Sequence, residues 1–406
     1  MKQNFRFHIQ HCYQYCLSRV RGKIAVNVSP LLRQNFLLLV SLAAGGLAPA
    51  LAHAQGVTAD TIVIGQSAAL SGPAAELGRE MKLGADAYFN FVNKNGGVNG
   101  RKIKLISLDD GYEPDRAKAN TIKLITEDKV LALFGYVGTP TSNASLPIFT
   151  DAKTPFIGAF TGAQSLRDPL NRYIFNVRAS YFDETEEIVA HLLHRGMKKI
   201  AVFYQNDAYG KAGLAGVERA MKKRNLEIAA TATVERNTTD VSAAVQIMTK
   251  ADASAVIMIS AYKSCGAFIK AMRLANSYSQ YWNVSFVGSK ALASELGEEG
   301  RGVQISQVVP FPWSTESAIV LDYQKKIGGE GNASFTSLEG YIAARILVEG
   351  LKKAGKNLTR ESLTDAMSNL GTVDLGGFKV TYSPTNHNGS SFVDLTIISK
   401  NQKFKH

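Results

Sequence analysis

Cysteine is nearly absent. The 406 residues hold three, and two of them, Cys12 and Cys16, lie in a leader that reads as an export signal. Only Cys265 follows, so the rest of the chain has no internal disulfide and draws its stability from the size of its core. Acidic residues are missing from the same leader: residues 1–54 carry six Lys or Arg and no Asp or Glu. Their removal lowers the formal charge from +12 to +6. The remaining basic pairs, such as Lys198-Lys199 and Lys352-Lys353, are scattered like solvated helix ends and do not make a nucleic-acid face.

Long apolar runs are also missing beyond the leader. Within it, Phe36–Leu47 follows Arg33, and Ala52-His53-Ala54 offers a small-x-small cleavage site before Gln55. The run is short for a membrane span and is followed closely by Pro49, which favours export with cleavage near Ala54 over an anchor. No cysteine follows it closely, which argues against a lipid-anchored form. Catalytic signatures are lacking too: there is no G-x-x-x-x-G-K-[ST], G-x-S-x-G or H-E-x-x-H. Gly210, Gly213 and Gly216 have the wrong spacing for a dinucleotide loop. His191 and His194 share a helix face without a third ligand, and Asp109-Asp110 reads as a loop or cap pair. Trp313, after Pro312, suits a cleft wall or a packed hinge, and Cys265 a buried small hydrophobe. No enzyme, cofactor or metal is therefore expected.

What is present is alternation. Strands at Thr61–Gly65, Lys102–Leu108, Val130–Phe134, Thr154–Ala159 and Tyr173–Val177 are separated by helical stretches. A second set follows, at Lys199–Tyr204, 227–234, Ala255–Ser260 and Val284–Val287. This is an α/β chain built of right-handed βαβ units, in two successive parallel sheets flanked by helices. Val130–Pro147 carries the sharpest local chemistry. An apolar strand ends in Gly135 and Gly138, and Thr139, Pro140, Thr141 and Ser142 open a helix. Such a helix start has unpaired N–H groups and a positive dipole end, and so suits an anion. Pro147 is expected to kink this helix or end it early.

Several segments together resemble the periplasmic substrate-binding proteins of ABC importers, of the branched-chain amino acid type. They are I-G-Q-S-A-A-L-S-G-P at 64–73, N-G-G-V-N-G-R-K-I at 95–103, D-D-G-Y-E-P at 109–114, G-Y-V-G-T-P-T-S at 135–142, Y-Q-N-D-A-Y-G at 204–210 and N-T-T-D-V-S-A at 237–243. The resemblance implies a two-lobe type I periplasmic binding fold with three hinge strands, near 175–179, 305–309 and 374–378. Lobe one is then 55–177 with 309–375, and lobe two 178–308 with 376–406. The ligand sits in the cleft between the lobes, which close over it. Also implied are a periplasmic location, an inner-membrane permease as partner, and a monomer.

The resemblance further implies that Gly138-Thr139 and Phe160-Thr161-Gly162 hold the ligand's carboxylate. Tyr209 and Tyr262 come from the other lobe, and Leu77 touches the ligand's side chain. One position departs from the pattern. After Phe286-Val287-Gly288-Ser289, where amino-acid binders place an acid for the ligand's ammonium, stands Lys290. Like charges in a closed cleft are strongly unfavourable. Either the ligand is an organic anion, such as a dicarboxylate, a keto or hydroxy acid or an aromatic acid, or Glu295 or Glu298 supplies the acid. The leading expectation is a binding protein for a small organic acid. A branched-chain or other aliphatic amino acid is the alternative, and a ligand sensor for a receptor or regulator is the reading of another class.

Overall fold

The computed structural model describes residues 55–406, and the expected leader and its cleavage site lie outside the described residues. The first sheet is parallel, with β1 (Thr61–Ala68) between β2 (Lys102–Asp109) and β3 (Ala132–Phe134). It continues through β4 (Phe156–Ile157) to β5 (Ile174–Phe175), in the order β2-β1-β3-β4-β5. Most of β1 is buried on both faces, as a strand covered by helices on either side must be. Those helices are α1 (Ala75–Lys94), α2 (Pro114–Thr126) and α3 (Thr139–Asp151).

After β5 the chain builds α4 (Tyr181–His194), β6 (Ile200–Gln205), α5 (Ala208–Lys222), β7 (Thr231–Val234), α6 (Ser242–Ala251), β8 (Ala255–Ile259), α7 (Tyr262–Leu274) and β9 (Gln280–Asn283). The side chains of Ser180 and Asp207 cap α4 and α5. The helix α8 (Ser289–Leu296) leads to β10 (Gln304–Gln307). The chain then returns to pack α9 (Ala318–Ile327) and α10 (Phe335–Ala354) on α1. That packing is close. A Cβ at Gly84 would lie 1.7 Å from the Ser337 carbonyl, and one at Gly340 2.1 Å from that of Met81. α11 (Arg360–Ser368) precedes a hairpin, β11 (Gly371–Asp374) with β12 (Lys379–Tyr382), whose turn contains most of the expected crossing at 374–378. Finally β13 (Asp394–Ile398) and β14 (Phe404–Lys405) complete a seven-stranded sheet ordered β14-β13-β10-β9-β8-β6-β7. In it only the β13 and β14 pairings are antiparallel.

Two local expectations are corrected. α3 runs through Pro147, because the ring sits on the exposed side while Phe149 beyond it stacks on Phe156 at 4.4 Å and holds the last turn. Val284–Val287 is not a strand: β9 ends at Asn283, and Ser285–Val287 is a 3₁₀ turn. There the Ser285 N–H donates to Glu184 Oε2 at 2.7 Å, and Gly288 turns the chain with φ 81°. Cys265 is fully buried on α7 with its thiol 3.4 Å from the Ser260 carbonyl, and burial pushes its pKa up.

Candidate functional site

The turn between β3 and α3 meets the turn after β4. Thr139 Oγ1 and Thr161 Oγ1 lie 2.7 Å apart, at 1% and 0% exposure. Gly138 adopts φ 102°, and a Cβ there would fall 2.2 Å from the ring of Tyr112, so only glycine fits. Its N–H donates to the Phe160 carbonyl at 3.2 Å. Pro140 has no N–H, and the amides of Thr139 and Thr141 make no backbone hydrogen bond among the described residues. Two donors and two hydroxyls thus stand at the positive end of a helix. Gly162 sits against Tyr181, whose N–H donates to the Gly162 carbonyl at 2.8 Å.

Aromatic rings close over this turn. Phe286 lies 5.3 Å from Phe160, 4.5 Å from Tyr209 and 5.8 Å from Tyr112, centroid to centroid. The Tyr209 hydroxyl is buried without a hydrogen-bond partner among the described residues. Tyr112, at φ 64°, is pinned by Asp110, which accepts from its N–H at 2.8 Å and from Ser67 at 2.7 Å. Burial pushes the Asp110 carboxyl up to about 6. The neighbouring Asp109 goes the other way. It accepts from the Leu70, Ser71 and Gly111 amides and pairs with Arg116, and these bonds outweigh burial and hold it well below the usual carboxylate range.

Behind Phe160 lies a buried charge network. The Arg178 guanidinium is 5.0 Å from the Phe160 ring and fully buried. It pairs with Glu184 at 3.2 Å and bonds the Ser285 hydroxyl. Its Nη1 is 3.5 Å from Glu339, near enough for an ion pair but not aligned as a hydrogen bond, and its Nε has no partner among the described residues. Burial works against the charge of Arg178, but Glu339 and Glu184 outweigh it and raise its pKa. Burial pushes Glu339 up to about 7 despite Arg178.

The other candidate residues gather at the start of α1. Leu77 is buried, and a Cβ at Gly288 would lie 2.4 Å from it. Tyr262 and Lys290 line a cavity of about 400 Å³ with Glu76, Glu80, Lys263 and Glu295. Lys290 is 3.7 Å from Glu80 and 3.3 Å from the Gly331 carbonyl, with its side chain 40% exposed. Glu295 is held by Lys263 at 2.5 Å, and Glu298 is exposed on the turn Gly297–Gly300. The sequence reading placed Thr139, Thr161, Phe160 and Tyr209 around one spot, and there they meet. It missed Arg178, Glu184, Tyr112 and Phe286 as members of the site. Tyr112 has a visible signal in the D-D-G-Y motif and Phe286 one in the F-V-G stretch; Arg178 and Glu184 have none.

Comparison with known proteins bears on this geometry. A solved structure of a possible leucine/isoleucine/valine-binding protein from Rhodopirellula baltica SH 1 is 36% identical. It superposes with a TM-score of 0.80, over 86% of this chain and 97% of its own. A substrate-binding periplasmic protein from Ralstonia solanacearum is 30% identical with a TM-score of 0.80, over 84% of this chain and 99% of its own. The leucine-, isoleucine-, valine-, threonine- and alanine-binding protein of Pseudomonas aeruginosa is 23% identical over 303 residues, 74% of this chain and 80% of its own. The fold is thus the type I periplasmic binding fold expected from the sequence. A family model described as periplasmic binding protein matches residues 61–403, and the chain belongs to that family.

Proposed function

We propose that this protein captures an aliphatic amino acid of the leucine, isoleucine and valine class in the periplasm and hands it to an ABC permease. The observation that carries the reading is the Thr139–Thr161 hydroxyl pair at the open end of α3, a seat for an α-carboxylate. Leu77, Phe160, Tyr209 and Tyr262 are its apolar walls, with Gly138 and Gly162 shaping the two turns. The names of the relatives support this ligand class over the organic acid. The chief objection is weakened by the Lys290 ammonium lying 3.7 Å from Glu80. With Glu76, Glu295 and Lys263 the group holds three carboxylates against two ammonium ions and does not repel a cation. Lobes 55–177 with 309–375 and 178–308 with 376–406 would close about the strands between them.

Titration calorimetry on protein freed of bound solute tests this. Leucine, isoleucine or valine should bind saturably and succinate and pyruvate should not. Binding of the acids alone would overturn the amino-acid reading and restore the anion.

A further inference from the structure

A second cavity lies away from the Thr139 turn. It measures about 660 Å³ and shares Lys290 and Ser294 with the smaller cavity beside Glu76. One wall is aromatic. Trp313 lies parallel to Phe404 with centroids 5.6 Å apart and meets Phe311 edge-on at 5.3 Å, while Phe335 supports both Trp313 and Phe404. Phe311, Trp313 and Phe404 are only half-buried, so part of each remains accessible. The Trp313 Nε1 donates to the Glu330 carbonyl at 3.3 Å, which fixes the indole plane. The charged residues that line the cavity are Lys290, Lys403 and Glu330, two cationic side chains to one carboxylate. Lys403 has no ion pair among the described residues, and Lys290 shares Glu80 at the edge of the charge-pair distance.

Aromatic rings beside two lysines in one cavity select an aromatic ligand bearing a negative charge. We propose that this cavity is a second small-molecule site, for an aromatic carboxylate, separate from the Thr139–Thr161 turn. The ring lies along Trp313, Phe404 and Phe311, and the carboxylate faces Lys403 and Lys290. Because Lys290 also faces Glu80, an anion here competes for the lysine that borders the main cleft. The second site can therefore influence the first without overlapping it.

The chain has two tryptophans, and Trp282 is buried away from this cavity, so the two indole N–H signals of the ¹⁵N-labelled protein report separately. Phenylacetate is the probe, and phenylacetamide is the same shape without the charge. Phenylacetate should shift the Trp313 signal saturably while Trp282 stays still. Lys403→Ala should weaken the effect about tenfold or more, the usual consequence of losing a charged partner. Trp313→Phe, which keeps a ring, assigns the signal, and Thr139→Ala should leave the titration unchanged. Three results would each overturn the proposal: no saturable Trp313 shift at millimolar phenylacetate, an equal response to phenylacetamide, or loss of the response in Thr139→Ala, which would place the ligand in the main cleft.

Discussion

The two ends of the cleft differ in how they handle charge. Around Thr139 and Thr161 the side chains are almost wholly buried, and so are the two cations near them: Arg167 reaches the Gly162 carbonyl at 3.5 Å, and Arg178 lies behind the Phe160 ring with carboxylates on both sides. Around Lys290 the side chains are charged, partly exposed and paired with one another. In the dry end most polar groups are held by protein partners, and the loss of one is felt in full. In the wet end water competes with every pair, and single charges count for little.

The largest test of this contrast is Arg178→Ala. It leaves Glu184 and Glu339 buried without their shared partner, and unfolding by urea should reveal a loss of about 3–5 kcal/mol. A loss under about 1 kcal/mol would mean that the network is not the rigid support of the dry end. Thr139→Ala should come next, weakening ligand binding by about 1–3 kcal/mol in calorimetry with the fold unchanged. Unchanged affinity would remove the hydroxyl from the site.

Glu339 gives a smaller effect with a defined pH window. Its folded pKa, about 7, lies above the ordinary 4.5, so the folded protein holds this proton more tightly than the unfolded chain. Its contribution is complete below pH 4.5 and declines as pH rises through 7. Asp110, pushed up to about 6, acts with the same sign. Thermal melts from pH 4.5 to 8 should show the decline, and Glu339→Gln should flatten it by on the order of 1–2 kcal/mol. An identical slope in the variant would assign the pH dependence elsewhere. The smallest effect belongs to Lys290→Gln: the Lys290 side chain is 40% exposed and sits 3.7 Å from Glu80, which keeps its bond from Ser334, so stability should change by less than about 1 kcal/mol. A larger loss would erase the distinction between the two ends.

The dry turn was legible because its chemistry is local. Gly138, Thr139 and Pro140 are neighbours, and a strand followed by that sequence has few ways to fold. The alternation of strands and helices was equally plain, since each element shows its own apolar period. Arg178 was invisible for the opposite reason. Its partners Glu184, Ser285 and Glu339 lie on three separate segments, and periodicity marks burial of apolar residues, not of a paired charge. Phe286 reads as a strand residue in the sequence because the Ser285 bond to Glu184 that breaks the strand is tertiary. Lys290 departs visibly from the pattern, but its partner Glu80 sits on α1, far back in the chain, and no spacing rule joins them.

Cys265 makes the protein its own clock. Within residues 55–406 it is the only thiol, it is fully buried, and burial keeps it protonated. A thiol reagent can therefore reach it only when the surrounding structure opens. The rate of labelling with time measures how often that happens, with no mutation or added dye. A ligand that holds the folded state together should slow the clock by the same factor by which it reduces the open population.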